Sequence, residues 1–216
     1  MIVTRDEAFE DLLLDEMVEA YKEDRSGQHP SISDLVKCVT KSWYDMRSGG
    51  AVHSRQTKLF FAIGIATEHA LLAGRREQTA AGEHEGIWYH IDNLQGVDAI
   101  VELKTTRKSM KGYEENIPSA HLKQIKGYLK TQGMLKVKYA VVFLIPAEII
   151  AWELEFTQEE VDEQWAWFQE RKDAYNQAVA EDVAPEAFKW NEDWECKGCS
   201  YKMLCDANSN MKGVSF

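Results

Sequence analysis

The sequence predicts one mixed α/β domain, and three observations carry that expectation. Its 216 residues suit a single hydrophobic core. Helix-period and strand-period segments succeed one another as helix, hairpin, helix, two strands, helix. No repeat, low-complexity tract or interdomain linker interrupts that order. A hydrophobic content of 44% with 11% aromatics belongs to a globular chain, not a disordered one.

Residues 5–24 read as an amphipathic helix with Phe9, Leu12, Leu13, Met17 and Tyr21 on one side, broken at Ser26–Pro30. Ser33 is the expected N-cap of a short helix, SDLVKCVTKSWYDM, which carries Cys38 and ends at Gly49 and Gly50. Residues 55–73 form a helix apolar enough to be largely buried. Gly86–Leu94 and Val97–Thr105 read as a hairpin around Gln95-Gly96. Pro118-Ser119 opens a helix over 119–131, ended by Gly133. Strands are expected at Tyr139–Ile145 and Ile149–Phe156, with Pro146 between them. Thr157 and Glu160 make a capping box for a helix reaching Ala180. The parts of the domain are then 1–30, 31–75, a core over 86–180, and a cysteine-rich tail over 190–216.

A net charge of −11 argues against a general nucleic-acid coat protein, whose surface must neutralise phosphates. The charge is uneven, however. Between Lys104 and Lys138 stand nine basic residues, Lys123, Lys126 and Lys130 among them, against only Glu114 and Glu115. That local excess suits an enzyme holding a short stretch of nucleic acid as well as it suits a solvated helix face. No apolar run approaches the roughly 20 residues of a membrane span. The start is acidic where a signal peptide is basic and then apolar, so no membrane partner and a cytoplasmic location are expected. Four cysteines in that setting are not expected to form disulfides.

Glu102 and Lys104 lie two apart on a strand, so both side chains leave the same face. A carboxylate beside a lysine can bind a divalent cation and orient an attacking water. The spacing alone says little, because Glu170/Lys172 and Glu195/Lys197 repeat it. Only the first pair sits in an apolar strand with a hairpin partner. A second carboxylate must come close. Asp98 is four residues upstream, about 13 Å away along a strand. Asp92 lies across the turn, opposite or diagonal to Glu102, and is preferred. Gln124 and Tyr128 share a helix face at i and i+4. Glu68 and His69 offer further ligands in the helix before the hairpin, where a buried charge needs a partner or an ion. Cys38 stands alone, whereas Cys196, Cys199 and Cys205 form C-x2-C-x5-C.

Taken together, Gly64 with Glu68 and His69, then Asp92, then Glu102-x-Lys104, then Gln124-x-x-x-Tyr128 resemble the RecB-like branch of the PD-(D/E)xK nucleases. One cysteine before these motifs and three after them resemble the iron–sulfur members of that branch. These are the exonucleases of the fourth CRISPR-associated family and their phage and archaeal-virus relatives. The resemblance implies a restriction-endonuclease-like core, a mixed central sheet flanked by helices, with a C-terminal iron–sulfur segment. It implies a [4Fe–4S] cluster on Cys38, Cys196, Cys199 and Cys205. Four thiolates also suit zinc, although a solitary ligand and a final gap of five depart from the usual paired zinc spacing. It further implies Mg²⁺ or Mn²⁺ held by Asp92 and Glu102 with Glu68 or His69, and exonuclease action on single-stranded DNA. CRISPR adaptation proteins or phage recombination proteins are the implied partners. One departure stands out: the family's histidine falls four residues after the glycine, where this chain has Glu68.

Overall fold

A computed structural model describes residues 5–20, 30–49, 54–74, 79–111, 113, 116–145, 147–186 and 193–212. Residues 26–29 of the expected break, together with Tyr21, Gly50, Pro146 and Trp190, lie outside the described residues. Helices α1 (Glu7–Ala20), α2 (Ile32–Val36), α3 (Val39–Arg47) and α4 (Arg55–Leu72) precede the strands. Next come β1 (Ala80–His84), β2 (Ile87–Ile91), β3 (Asn93–Gln95), β4 (Ala99–Thr106), α5 (Ser119–Gln132), β5 (Lys136–Phe143) and β6 (Glu148–Glu155). The long helix α6 (Gln158–Glu181) follows, and then α7 (Asp193–Cys196) and α8 (Lys202–Lys212).

The sheet is mixed. Its order is β3-β4-β5-β6, with β4 and β5 parallel and both outer pairs antiparallel. Strand alternation puts Val137, Tyr139, Val141 and Phe143 on the buried face of β5, under α5 and α6. The opposite face of β5 and β6 is wetter and carries the pairs Lys136–Glu155 and Lys138–Glu153. Gly127 lets α5 settle onto α6: a Cβ there would stand 2.7 Å from the Phe168 ring. Gly133 ends α5 in the left-handed region, as a terminal glycine does. The Thr157/Glu160 capping box starts α6 as the sequence predicts.

Three expectations need correction. Ile87–Ile91 does not pair with β4; it pairs with Ala80–His84, a strand the sequence reading omits. The segment AAGEH lacks the β-branched and aromatic residues that advertise a strand. The two strands are joined at Glu85 and Gly86, which both adopt positive φ, as the tightest hairpin connections require. Of the expected first hairpin strand, the short β3 pairs with β4, around a turn at residues 96–98.

The helix expected from Ser33 is two helices broken at Lys37–Cys38, and its N-cap is Ser31, which shares a capping box with Asp34. The break has a cause: the buried Arg171 guanidinium donates to the Leu35 and Lys37 carbonyls, which a continuous helix would have used internally. Finally, α4 is mostly half-exposed. Among its residues Ala62 is buried, while Leu59, Phe61 and Leu71 are open, as are Phe9, Leu12 and Leu13 on α1. No helix among the described residues is long and apolar enough to cross a membrane.

Candidate functional site

Glu102 lies in the middle of β4 with 0% exposure, one of the few buried charged residues. Lys104, two residues on and only partly covered, makes an ion pair with Glu102 Oε1. Neither Glu102 oxygen completes a hydrogen bond of normal geometry. Burial raises the Glu102 pKa, Asp92 raises it further, and Lys104 opposes both. Burial also acts against the charge on Lys104, but Glu102 and Asp92 outweigh it and hold the ammonium charged. The direction is clear: burial and the neighbouring Asp92 outweigh the Lys104 ion pair and raise the pKa of the Glu102 carboxyl.

The hairpin register supplies Asp92. Asn93 pairs with Val101, so one step further along the register sets Asp92, at the bend after β2, opposite Glu102. Asp92 Oδ2 accepts from the Leu103 amide at 2.8 Å, which fixes its reach into β4. Asp98 is placed elsewhere, in the exposed turn at the start of β4.

From the opposite direction comes α4. A Cβ at Gly64 would meet Thr105 Oγ1 at 3.3 Å, so the glycine allows the helix to lie close against β4. Glu68, one turn later, is near enough to raise the Glu102 pKa. His69 stands about 100° further round the helix.

On the core side, Tyr128 of α5 is buried and receives a 2.8 Å hydrogen bond from Gln124 Nε2. Burial first, then Glu102, keeps its phenol protonated. The structure therefore brings Asp92, Glu102 and Lys104 together, with Glu68 and the Gln124–Tyr128 pair within electrostatic reach of them. Sequence reasoning missed His121 and Tyr139. Tyr139 is the register partner of Glu102 on β5 and bonds to His121 Nδ1 at 2.7 Å. A signal for His121 existed, because it precedes Gln124 by three and so shares its helix face.

The basic track fares differently. Lys123 and Lys126 lie over the Trp167 and Phe156 rings at 5.1 and 5.4 Å. Lys130 pairs with Asp162 at 2.7 Å. These lysines serve the α5–α6 side. The cations that follow β4 toward solvent are Arg107, which stacks on Phe60 at 3.6 Å, and Lys108.

A second group of side chains assembles at the other end of the chain. Cys38 is buried at the break between α2 and α3, and its amide donates to Glu195 Oε1 at 2.9 Å. Tyr201 stacks on Tyr44 with ring centroids 5.0 Å apart, and its hydroxyl lies 3.0 Å from Ser48 Oγ. Asn208 adds a 2.8 Å bond to the Tyr44 hydroxyl. The tail is thereby held on α3. The Cys205 thiol is pushed up to about 11 by burial and then by Cys38, Cys199 and Cys196, so one cysteine feels the other three. No three His, Cys, Asp or Glu side chains among the described residues already stand at ion-binding separation, at either location.

No family model matches the chain, and no curated protein matches it. Solved structures do. The structure of SSO0001 resembles it with a TM-score of 0.58 at 17% identity, over 91% of this chain and 96% of that one. A phage-related exonuclease from Haemophilus somnus 129PT gives a TM-score of 0.50 at 13% identity, over 71% and 96%. The likeness is one of fold: a mixed sheet with flanking helices.

Proposed function

We propose that this chain is a divalent-cation-dependent DNA nuclease of the PD-(D/E)xK type, carrying a structural [4Fe–4S] cluster. One observation carries the reading: Glu102 is fully buried, ion-paired through Oε1 with Lys104, and faces a second carboxylate, Asp92, so that two carboxylates share one lysine. A buried carboxylate in that condition fits a cation. Asp92 and Glu102 would hold Mg²⁺ or Mn²⁺, with Glu68 as a third oxygen donor and His69 the alternative. When bound, the ion supplies Lewis acidity toward a phosphate and acidifies a water.

The chain's own groups do the rest. Lys104, held charged by its two carboxylates, orients the attacking water and offsets negative charge that develops on the phosphorus oxygens. Tyr128, whose oxygen is occupied by Gln124, keeps its proton available to donate toward the phosphate or toward Glu102. Arg107 and Lys108 meet the DNA backbone where β4 opens to solvent. The assigned substrate is single-stranded DNA trimmed from an end, in spacer acquisition for CRISPR immunity or in phage recombination. The exonuclease among the fold relatives supports the chemistry, and the sequence resemblance supports the strand preference.

The thiol site fits a cluster by donor set and by the mutual approach of Cys38 and Cys205. Cys38, Cys196, Cys199 and Cys205 would hold it. The test has two arms. Labelled single-stranded DNA should be degraded with Mn²⁺ and survive with Lys104→Ala, provided that variant keeps the wild-type far-UV spectrum. Anaerobically purified protein should contain iron and absorb in the visible. Zinc in place of iron overturns the cluster, and a folded wild type inert on DNA overturns the nuclease.

A further inference from the structure

We propose that His121 is a phosphate-binding residue, whose Nε2–H donates to a non-bridging oxygen of a DNA backbone phosphate beside the scissile one. The inference rests on the nuclease reading above. Position comes first: His121 precedes Gln124 by three and Tyr128 by seven on α5, so the three share one face.

The hydrogen bonds around the ring are directional. His121 Nδ1 lies 2.7 Å from the Tyr139 hydroxyl and 3.4 Å from that of Tyr113. The two hydroxyls are 2.9 Å apart. Burial keeps Tyr139 protonated, and the arrangement that fits the proposal has it donate to Nδ1 while its oxygen accepts from Tyr113. An imidazole accepting at Nδ1 carries its proton on Nε2. Burial, then the charges of Lys104 and Lys108, keep the ring neutral, with a pKa lowered to about 4.

Two tyrosine hydroxyls thus meet at Nδ1 of a half-buried ring, and in that arrangement Nε2 is the donor. The donor that results sits within the field of two lysines. Such a place repels cations and suits an anion that accepts hydrogen bonds, and a phosphodiester is the anion the nuclease reading brings there.

Two measurements test this. One is anisotropy of a fluorescein-labelled single-stranded oligodeoxynucleotide with Ca²⁺ in place of Mn²⁺; the other is steady-state cleavage with Mn²⁺. His121→Ala should raise Kd and KM together, on the order of tenfold, with kcat retained. His121→Gln, whose amide N–H can stand where Nε2 stood, should recover most of the loss. Tyr139→Phe, which removes the orienting donor, should fall between them. Unchanged Kd and KM in His121→Ala overturn the proposal. So does a joint fall of kcat and melting temperature that His121→Gln does not relieve, because a packing role predicts it. A wild type that binds DNA but does not cut it sinks the nuclease reading alone, and the binding series then decides His121 by itself. A wild type that binds no DNA overturns both.

Discussion

Asp92, Glu102 and Lys104 belong to one hairpin, and the strand register alone brings them face to face. Cys38 and Cys205 stand far apart in the chain, and they are brought within electrostatic reach because the tail docks on Tyr44, Ser48 and the Cys38 amide. The two regions also differ in what surrounds them. Glu102 is sealed in the sheet, whereas Cys196, Cys199 and Cys205 are half-exposed on a short terminal segment. The difference teaches where each region's stability resides. The carboxylate–lysine centre inherits rigidity from β4 and β5, where two carboxylates stand against one lysine. The thiol site has fewer enclosing elements, and its tail is held by the Tyr201–Tyr44 stack and by hydrogen bonds to Ser48, Tyr44 and the Cys38 amide.

Breaking the first region should abolish chemistry and spare the fold. Glu102→Gln keeps the shape and removes a buried charge, so Mn²⁺-dependent cleavage should fall by a factor of roughly 1,000 or more. Removing one partner of a purely structural buried pair costs about 3–5 kcal/mol, so a metal-free melting temperature close to that of the wild type is the outcome expected of a carboxylate held for a cation. A lower melting temperature would mean that the Glu102–Lys104 pair is a structural ion pair.

Breaking the second region should do the reverse. Cys196→Ala should lose its bound iron and destabilise the chain by several kcal/mol, roughly the scale of losing a structural metal ligand. Limited proteolysis should then cut the tail first. Residual cleavage by the fraction still folded would separate the regions further; a cluster-free variant as stable as wild type would erase the contrast.

A smaller effect sharpens the composition of the first region. Glu68→Ala should raise the Mn²⁺ concentration needed for half-maximal cleavage by about tenfold, with His69→Ala near wild type. The opposite ranking, measured by the same titration, would hand the ligand role to His69.

Much of this architecture was legible before any coordinates. The Thr157/Glu160 box, the Gly133 stop and the Gln124–Tyr128 face are local signals, each complete within one helical turn or two. The same holds for Glu102 and Lys104, because strand alternation requires only adjacent residues. What stayed hidden depended on distant partners. Strand β1 has a weak strand composition and exists through its pairing with β2. Arg171 splits a helix from more than a hundred residues away in the chain, as the carbonyls of Leu35 and Lys37 show.

The sequence by itself determined the mixed α/β succession, apart from β1 and the α2–α3 break, and the faces on which Glu102, Lys104, Gln124 and Tyr128 project, since backbone periodicity is a property of neighbours. Only the tertiary structure decided that Asp92 and not Asp98 stands beside Glu102, that Glu68 approaches from α4, that Lys130 turns to Asp162, and that His121 joins Tyr139. Those outcomes depend on which elements pack together and at what separation. Burial and opposing charges settle that across the whole chain, and no short segment encodes it.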